Sequence, residues 1–210
     1  MATAVLERQK VDAHEIEKPE ESGSAPSEYH WTVDALYRAI DAGVFEHPER
    51  LELIQGRIIE KMSQNAPHTS LRRRFGRLLR QRMEPAFVVM EETPVRLALD
   101  GEPVPDVLVA AGAEADYNFR HPTQTETVLI VEIADTSVTK DLGEKSLLYA
   151  QADIKDYWVV LVNEDVIVAH RQPLPNGYQS VLRLTGMDTL SPDAMPAAVW
   201  TINALLGKEG

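Results

Sequence analysis

No cysteine occurs among the 210 residues, which excludes disulfide frameworks, thiolate zinc sites and iron–sulfur clusters. Basic residues are scarce as well: 21 lysines and arginines face 33 aspartates and glutamates, for a formal charge of −12. A chain of that charge is not a generic polyanion coat, although a local basic patch or a bound divalent cation is compatible with it. Long apolar runs are missing. None approaches the roughly 18 residues needed to span a bilayer, and residues 1–6 lack a basic stretch leading into a hydrophobic core, so no secretory signal is read. The expectation is a cytoplasmic protein without membrane attachment. What is present, 44% apolar and 26% charged residues, is the composition of a globular chain long enough for one domain with a real core.

The charge is unevenly spread. Residues 1–28 are polar and mostly acidic, ending in Glu20-Glu21-Ser22-Gly23-Ser24-Ala25-Pro26-Ser27. Such a composition cannot bury enough surface to order itself and reads as a flexible acidic tail. The domain, 29–210, opens with a helix capped by Thr32, whose Leu36, Tyr37 and Ile40 share one face. Residues 50–62 read as two short strands around a Gln55-Gly56 turn, with Glu52 sharing a face with Ile54. A helix follows over 67–84, its apolar stripe made of Leu71, Phe75, Leu78, Leu79 and Met83. Its other surface carries Arg72, Arg73, Arg74, Arg77, Arg80 and Arg82. That cluster reads either as phosphate contacts along a nucleic acid or as a solvated face paired with neighbouring acids. His68 opens the same helix.

Strand patterns recur at 86–99, broken by Pro94, and at 104–110, where Asp106 stands at the entry. Residues 111–127 form an irregular connection. Then comes Val128-Leu129-Ile130-Val131-Glu132-Ile133-Ala134-Asp135, an apolar run that predicts a strand buried on both faces. One carboxylate, Glu132, sits in its middle, and burying it demands a partner, a proton or a metal. A helix-like run over 139–152 follows, in which Lys145 lies on the inward stripe with Leu142, Tyr149 and Ala152. Residues 156–162 and 166–170 predict a hairpin, 178–184 an edge strand, and 196–206 a closing element anchored by Trp200. Three strand-borne acids, Glu52, Asp106 and Glu132, together with Lys145, make a hard oxygen site suited to Mg2+ or Mn2+ and to phosphoryl chemistry.

Pro105-Asp106, followed by Glu132-Ile133-Ala134, resembles the signature of the PD-(D/E)XK restriction-endonuclease-like nucleases. The order of segments resembles more closely the Uma-two family of endonucleases: Leu51-Glu52-Leu53-Ile54-Gln55-Gly56, Pro67-His68, Pro105-Asp106-Val107, Val131-Glu132-Ile133, Lys140-Asp141 with Glu144-Lys145 and Tyr149, and Asp156-Tyr157-Trp158-Val159-Val160. The resemblance implies an α/β fold with a central mixed sheet flanked by helices and additional β-hairpins. It implies a metal-dependent nuclease acting on DNA as a homodimer, with Asp106, Glu132 and the main-chain carbonyl of Ile133 as metal ligands and Glu52 assisting through water. The superfamily's lysine position two residues after the second acid is Ala134 here, and Lys145 matches the lysine found on the following helix. His68, Asp141 and Tyr149 are further candidates, and Arg72, Arg73, Arg74, Arg77 and Arg80 are candidates for nucleic-acid contact. The departure at Ala134 and the negative charge keep a second function open: a degenerate nuclease fold that binds nucleic acid or a protein without cutting.

Overall fold

A computed structural model of the protein describes residues 28–97 and 100–208. The acidic tail expected over 1–28 therefore lies outside the described residues, apart from Glu28.

Helix α1 (Val33–Asp41) begins as its cap predicts, with the Thr32 hydroxyl accepting the Ala35 amide at 3.2 Å. Strands β1 (Leu51–Ile54) and β2 (Arg57–Glu60) form an antiparallel hairpin in which Ile54 pairs with Arg57. Both turn residues have positive φ, 49° at Gln55 and 74° at Gly56, the conformation that favours a glycine in a two-residue hairpin loop. A Cβ on Gly56 would also run into the His30 ring, at 2.0 Å from Nδ1. Helix α2 (Ala66–Met83) follows, capped by the Asn65 side chain, which accepts the His68 amide at 3.0 Å.

The body of the molecule is a six-stranded mixed sheet. Its strands are β3 (Phe87–Glu91), β4 (Val107–Ala111), β5 (Thr127–Ala134), β6 (Asp156–Leu161), β7 (Val166–Leu174) and β8 (Gly177–Thr185), in sequential spatial order. All neighbours are antiparallel except β5 and β6. That parallel pair needs a crossover, supplied by α3 (Val138–Lys140), a π turn (Asp141–Lys145) and α4 (Ser146–Gln151). The helix expected over 139–152 is thus present but interrupted. The C-terminal segment adds β9 (Thr189–Leu190) and β10 (Trp200–Thr201), which pair with each other, and α5 (Ile202–Leu206).

Alternation along β5 sorts its side chains between two layers. Leu129, Val131 and Ile133 pack with Phe75, Leu79 and Met83 of α2 and with Ile202 and Leu205 of α5. Ile130 and Ala134 pack on the other side with Leu148, Tyr149 and Ile154. Each fully buried side chain of this size contributes about 1.5–3 kcal/mol by leaving water, so β5 anchors both layers. Glu132 belongs by position to the face beneath α4. At Gly76 the α2 helix comes so near β3 that a Cβ would stand 2.3 Å from Glu91 Oε1. Where 86–99 predicted two strands or one long bent one interrupted at Pro94, β3 spans Phe87–Glu91, and beyond the proline Arg96 and Leu97 make isolated bridges.

Candidate active site

Glu132 is 3% exposed, and its partners come from the crossover. Lys145 Nζ donates to Glu132 Oε1 at 2.8 Å, and the Tyr149 hydroxyl donates to the same oxygen at 2.9 Å. The π turn brings this about: its wider winding turns both of its ends, Asp141 and Lys145, into the interior. Lys145 Nζ also lies 3.4 Å from Glu52 Oε2 and 4.0 Å from Asp141 Oδ1. The long lysine side chain therefore reaches back to the strand position that Ala134 leaves without one.

The other acids converge on the same place. Asp106 precedes Val107, whose partner across the sheet is Val131, so it stands opposite Glu132. Asp106 Oδ2 accepts the Ile133 amide at 2.7 Å and lies 3.2 Å from His68 Nε2. Among the described residues His68 Nδ1 has no hydrogen-bond partner. Glu52, on β1, is 2% exposed, on the buried face it shares with Ile54. It is held by Lys140 Nζ at 2.5 Å as well as by Lys145, and it accepts the Val104 amide at 3.4 Å.

Electrostatics separate these carboxyls. Burial pushes Glu132 up to about 7, and the charges on Asp141 and Asp106 add to the effect while Lys145 opposes it. Burial also raises Asp141. For Glu52 burial would do the same, but Lys145 and Lys140 hold it below the ordinary carboxylate value. Asp106 is likewise lowered against its burial, by the His68 hydrogen bond and charge, by Lys61 and by the Ile133 amide. Burial would strip Lys145 of its proton, yet Glu132, Glu52 and Asp141 together carry it above its usual range. The centre is a nest of three acids around a cationic lysine, with Asp106 beside Glu132.

This nest lines a cleft of about 490 Å³ between β1–β2, the start of α2 and the end of β5. Among the described residues no three His, Cys, Asp or Glu side chains gather closely enough to hold a metal by themselves. Magnesium asks for less, binding through one or two carboxylates and completing its shell with water and substrate phosphate. Asp106 and Glu132 fit that requirement. Both open on the cleft, and both hydrogen bonds to Glu132 fall on Oε1, leaving Oε2 available. Ile133, whose carbonyl the family pattern implicates, lines the same cleft. Glu52 is committed to two lysines instead.

The arginines of α2 divide. Arg72 is tied to Glu92, to Glu91 at 3.4 Å and to Gln64 at 2.8 Å. Arg74 donates to the carbonyls of Ala204 and Leu205, each at 3.0 Å, and Arg80 to Glu91 at 2.8 Å. Arg82 lies over the Trp200 ring at 5.9 Å. Of the α2 arginines only Arg73 and Arg77 are exposed and without a hydrogen bond, ion pair or ring contact among the described residues. Several site residues escaped the sequence reading. Lys61, Gln64 and Asn65 are polar residues in polar stretches, with no burial pattern to mark them. Gln64 Nε2 nevertheless lies 3.3 Å from Asp106 Oδ1, Lys61 Nζ donates to the Val104 carbonyl at 2.8 Å, and Asn65 bonds Asp135.

Comparison with solved structures finds a putative nuclease of the DUF820 group from Anabaena variabilis. It superposes with a TM-score of 0.59 at 19% identity, over 75% of this chain and 90% of the other. At that identity the likeness establishes the fold alone. Among curated proteins none matches the sequence. A family model described as "Putative restriction endonuclease" matches residues 34–204, a span that takes in β1–β2, Asp106, β5 and the interrupted crossover. The chain therefore belongs to the Uma2 family.

Proposed function

We propose that the protein is a divalent-cation-dependent nuclease that hydrolyses phosphodiester bonds in DNA. The observation that carries this reading is the convergence of Asp106, Glu132 and Lys145 on one cleft, with Lys145 held cationic 2.8 Å from Glu132. A cation held by Asp106 and Glu132 would supply Lewis acidity and an attacking water of lowered pKa. The chain's own groups do the rest. Lys145 offers a fixed positive charge to a phosphoryl oxygen as negative charge builds there. Glu52 and Tyr149 position it, Glu52 by facing the ammonium at 3.4 Å and Tyr149 by anchoring the Glu132 carboxylate at 2.9 Å. His68 orients Asp106. Cutting both strands of a duplex would engage two copies of the chain, a dimer that sedimentation would detect.

The test is incubation of supercoiled plasmid, linear duplex and RNA with Mg2+ or Mn2+, comparing wild type with Asp106→Asn and Lys145→Met. Cleavage of DNA that either substitution abolishes is the expected result. Cleavage that survives both would refute the site. One observation favours a second reading, a fold that binds DNA without cutting it. Glu52, Asp106 and Glu132 already have the internal partners Lys140, His68 and Lys145, so each of the three acids is engaged without a metal. DNA binding with no product under either cation would establish that reading.

A further inference from the structure

We propose that Arg73 and Arg77 form a track for the DNA backbone as it leaves the acidic cleft, so that the substrate is gripped at phosphates beyond the one attacked. This rests on the reading of the cleft as a phosphodiester site. A groove of about 590 Å³ runs along α2, lined by Thr69, Ser70, Arg73 and Arg77 among others. Gln64 and Asn65 line both this groove and the acidic cleft, so the two adjoin. The lining is nearly all polar, Ala66 being its one apolar residue, which suits phosphate and sugar rather than a base or an apolar side chain.

Three features point to a polynucleotide strand. First, in a chain of charge −12, most of the α2 arginines are used up by acids, carbonyls or an aromatic ring, whereas two of the three that line this groove, Arg73 and Arg77, are left with open guanidinium groups. Second, they are four residues apart and so share a face of the helix. Third, they lie at increasing distance from the chemistry. At a rise of about 1.5 Å per residue, Arg73 lies about 7.5 Å and Arg77 about 13.5 Å along the helix axis from His68, the residue that touches Asp106. Two positive charges on successive turns of the helix suit successive phosphates of a strand that passes around α2 through the groove. A small phosphoester would reach neither.

The test reads binding rather than cleavage. Affinity for a labelled duplex oligonucleotide is measured in calcium over a range of KCl for three proteins: wild type, Arg73→Gln/Arg77→Gln, and the control Arg38→Gln/Arg82→Gln. The control removes the same charge from exposed positions outside the groove. Each phosphate contact steepens the dependence of log affinity on log salt by about 0.9. The groove variant is therefore expected to show a slope shallower by about 1.8, with the control matching wild type. An unchanged slope, or an equal change in the control, would overturn the track. Because no cleavage is read, a shallower slope in a protein that never cuts keeps the track and discards the nuclease, and an active nuclease with unchanged slope does the reverse.

Discussion

Two buried acids on neighbouring strands, Asp156 at the start of β6 and Glu132 near the end of β5, look alike in sequence and behave differently. Asp156 is 0% exposed, and every approach to it is taken. Arg171 reaches it at 3.0 and 3.3 Å, the Trp158 indole N–H at 2.7 Å and the Asp193 amide at 2.9 Å. Its carboxyl is raised by burial against the pull of Arg171, just as that of Glu132 is raised by burial against the pull of Lys145. Burial and a shifted pKa therefore do not distinguish them. Surroundings do. Asp156 closes a network in which its oxygens are satisfied, while Glu132 has two further acids for neighbours and an oxygen facing an open cleft. A buried carboxylate marks a candidate site when its neighbours leave it something to do.

Substitutions can break or sharpen that contrast. The largest effect is expected from Asp106→Asn or Glu132→Gln, each lowering the DNA cleavage rate on the order of a thousandfold, about 4 kcal/mol in barrier height. Asp156→Ala should do the opposite. It should remove about 3 kcal/mol of unfolding free energy, since it strands Arg171 and a buried indole N–H, while rate per folded molecule is unchanged. Denaturant titration beside a plasmid-nicking assay separates the two, and a loss of rate in Asp156→Ala without loss of stability would collapse the distinction. Lys145→Met should lower the cleavage rate about a hundredfold with DNA affinity held. Tyr149→Phe, which deletes one hydrogen bond to Glu132, should cost about 1 kcal/mol of stability and about tenfold in rate.

The gentlest perturbation leaves the sequence unchanged. Burial holds the Glu132 carboxyl up to about 7 in the folded protein against an ordinary value of 4.5, so within that interval the folded protein keeps a proton that the unfolded chain has released. Stability of the metal-free protein should therefore fall as pH rises through this window. Added Mg2+, which favours the ionised carboxylate, should restore stability at the alkaline end. Thermal unfolding with and without the cation reads both arms, and a flat profile would remove the strained carboxylate from the site.

Much of this molecule could be read along the chain. The β1–β2 turn, the Thr32 cap and the doubly buried β5 follow from local chemistry, and Glu132 stood out because an apolar strand cannot hold a lone carboxylate. The Asp106–Glu132 pairing was legible only through the family resemblance, since nothing in the spacing of Pro105-Asp106 says which strand it will meet. Which arginines of α2 are free was not legible either. Arg72, Arg73 and Arg74 are consecutive, yet one turns to Glu91 and Glu92, one to solvent and one to the end of α5. Lys61, Gln64 and Asn65 carried no signal because polar residues in polar stretches have no period to betray burial.

Helix and strand periods, caps and turn residues depend on neighbours a few positions away, so they are written in the order of residues. The site is different in kind. Its acids lie on β1, just before β4, on β5 and in the π turn, and they meet only because β4 and β5 pair in one register and the crossover lays its inner face over β5. Register and crossover are settled by the packing of two hydrophobic layers at once, and that competition is decided across the whole sheet rather than at any one stretch of chain.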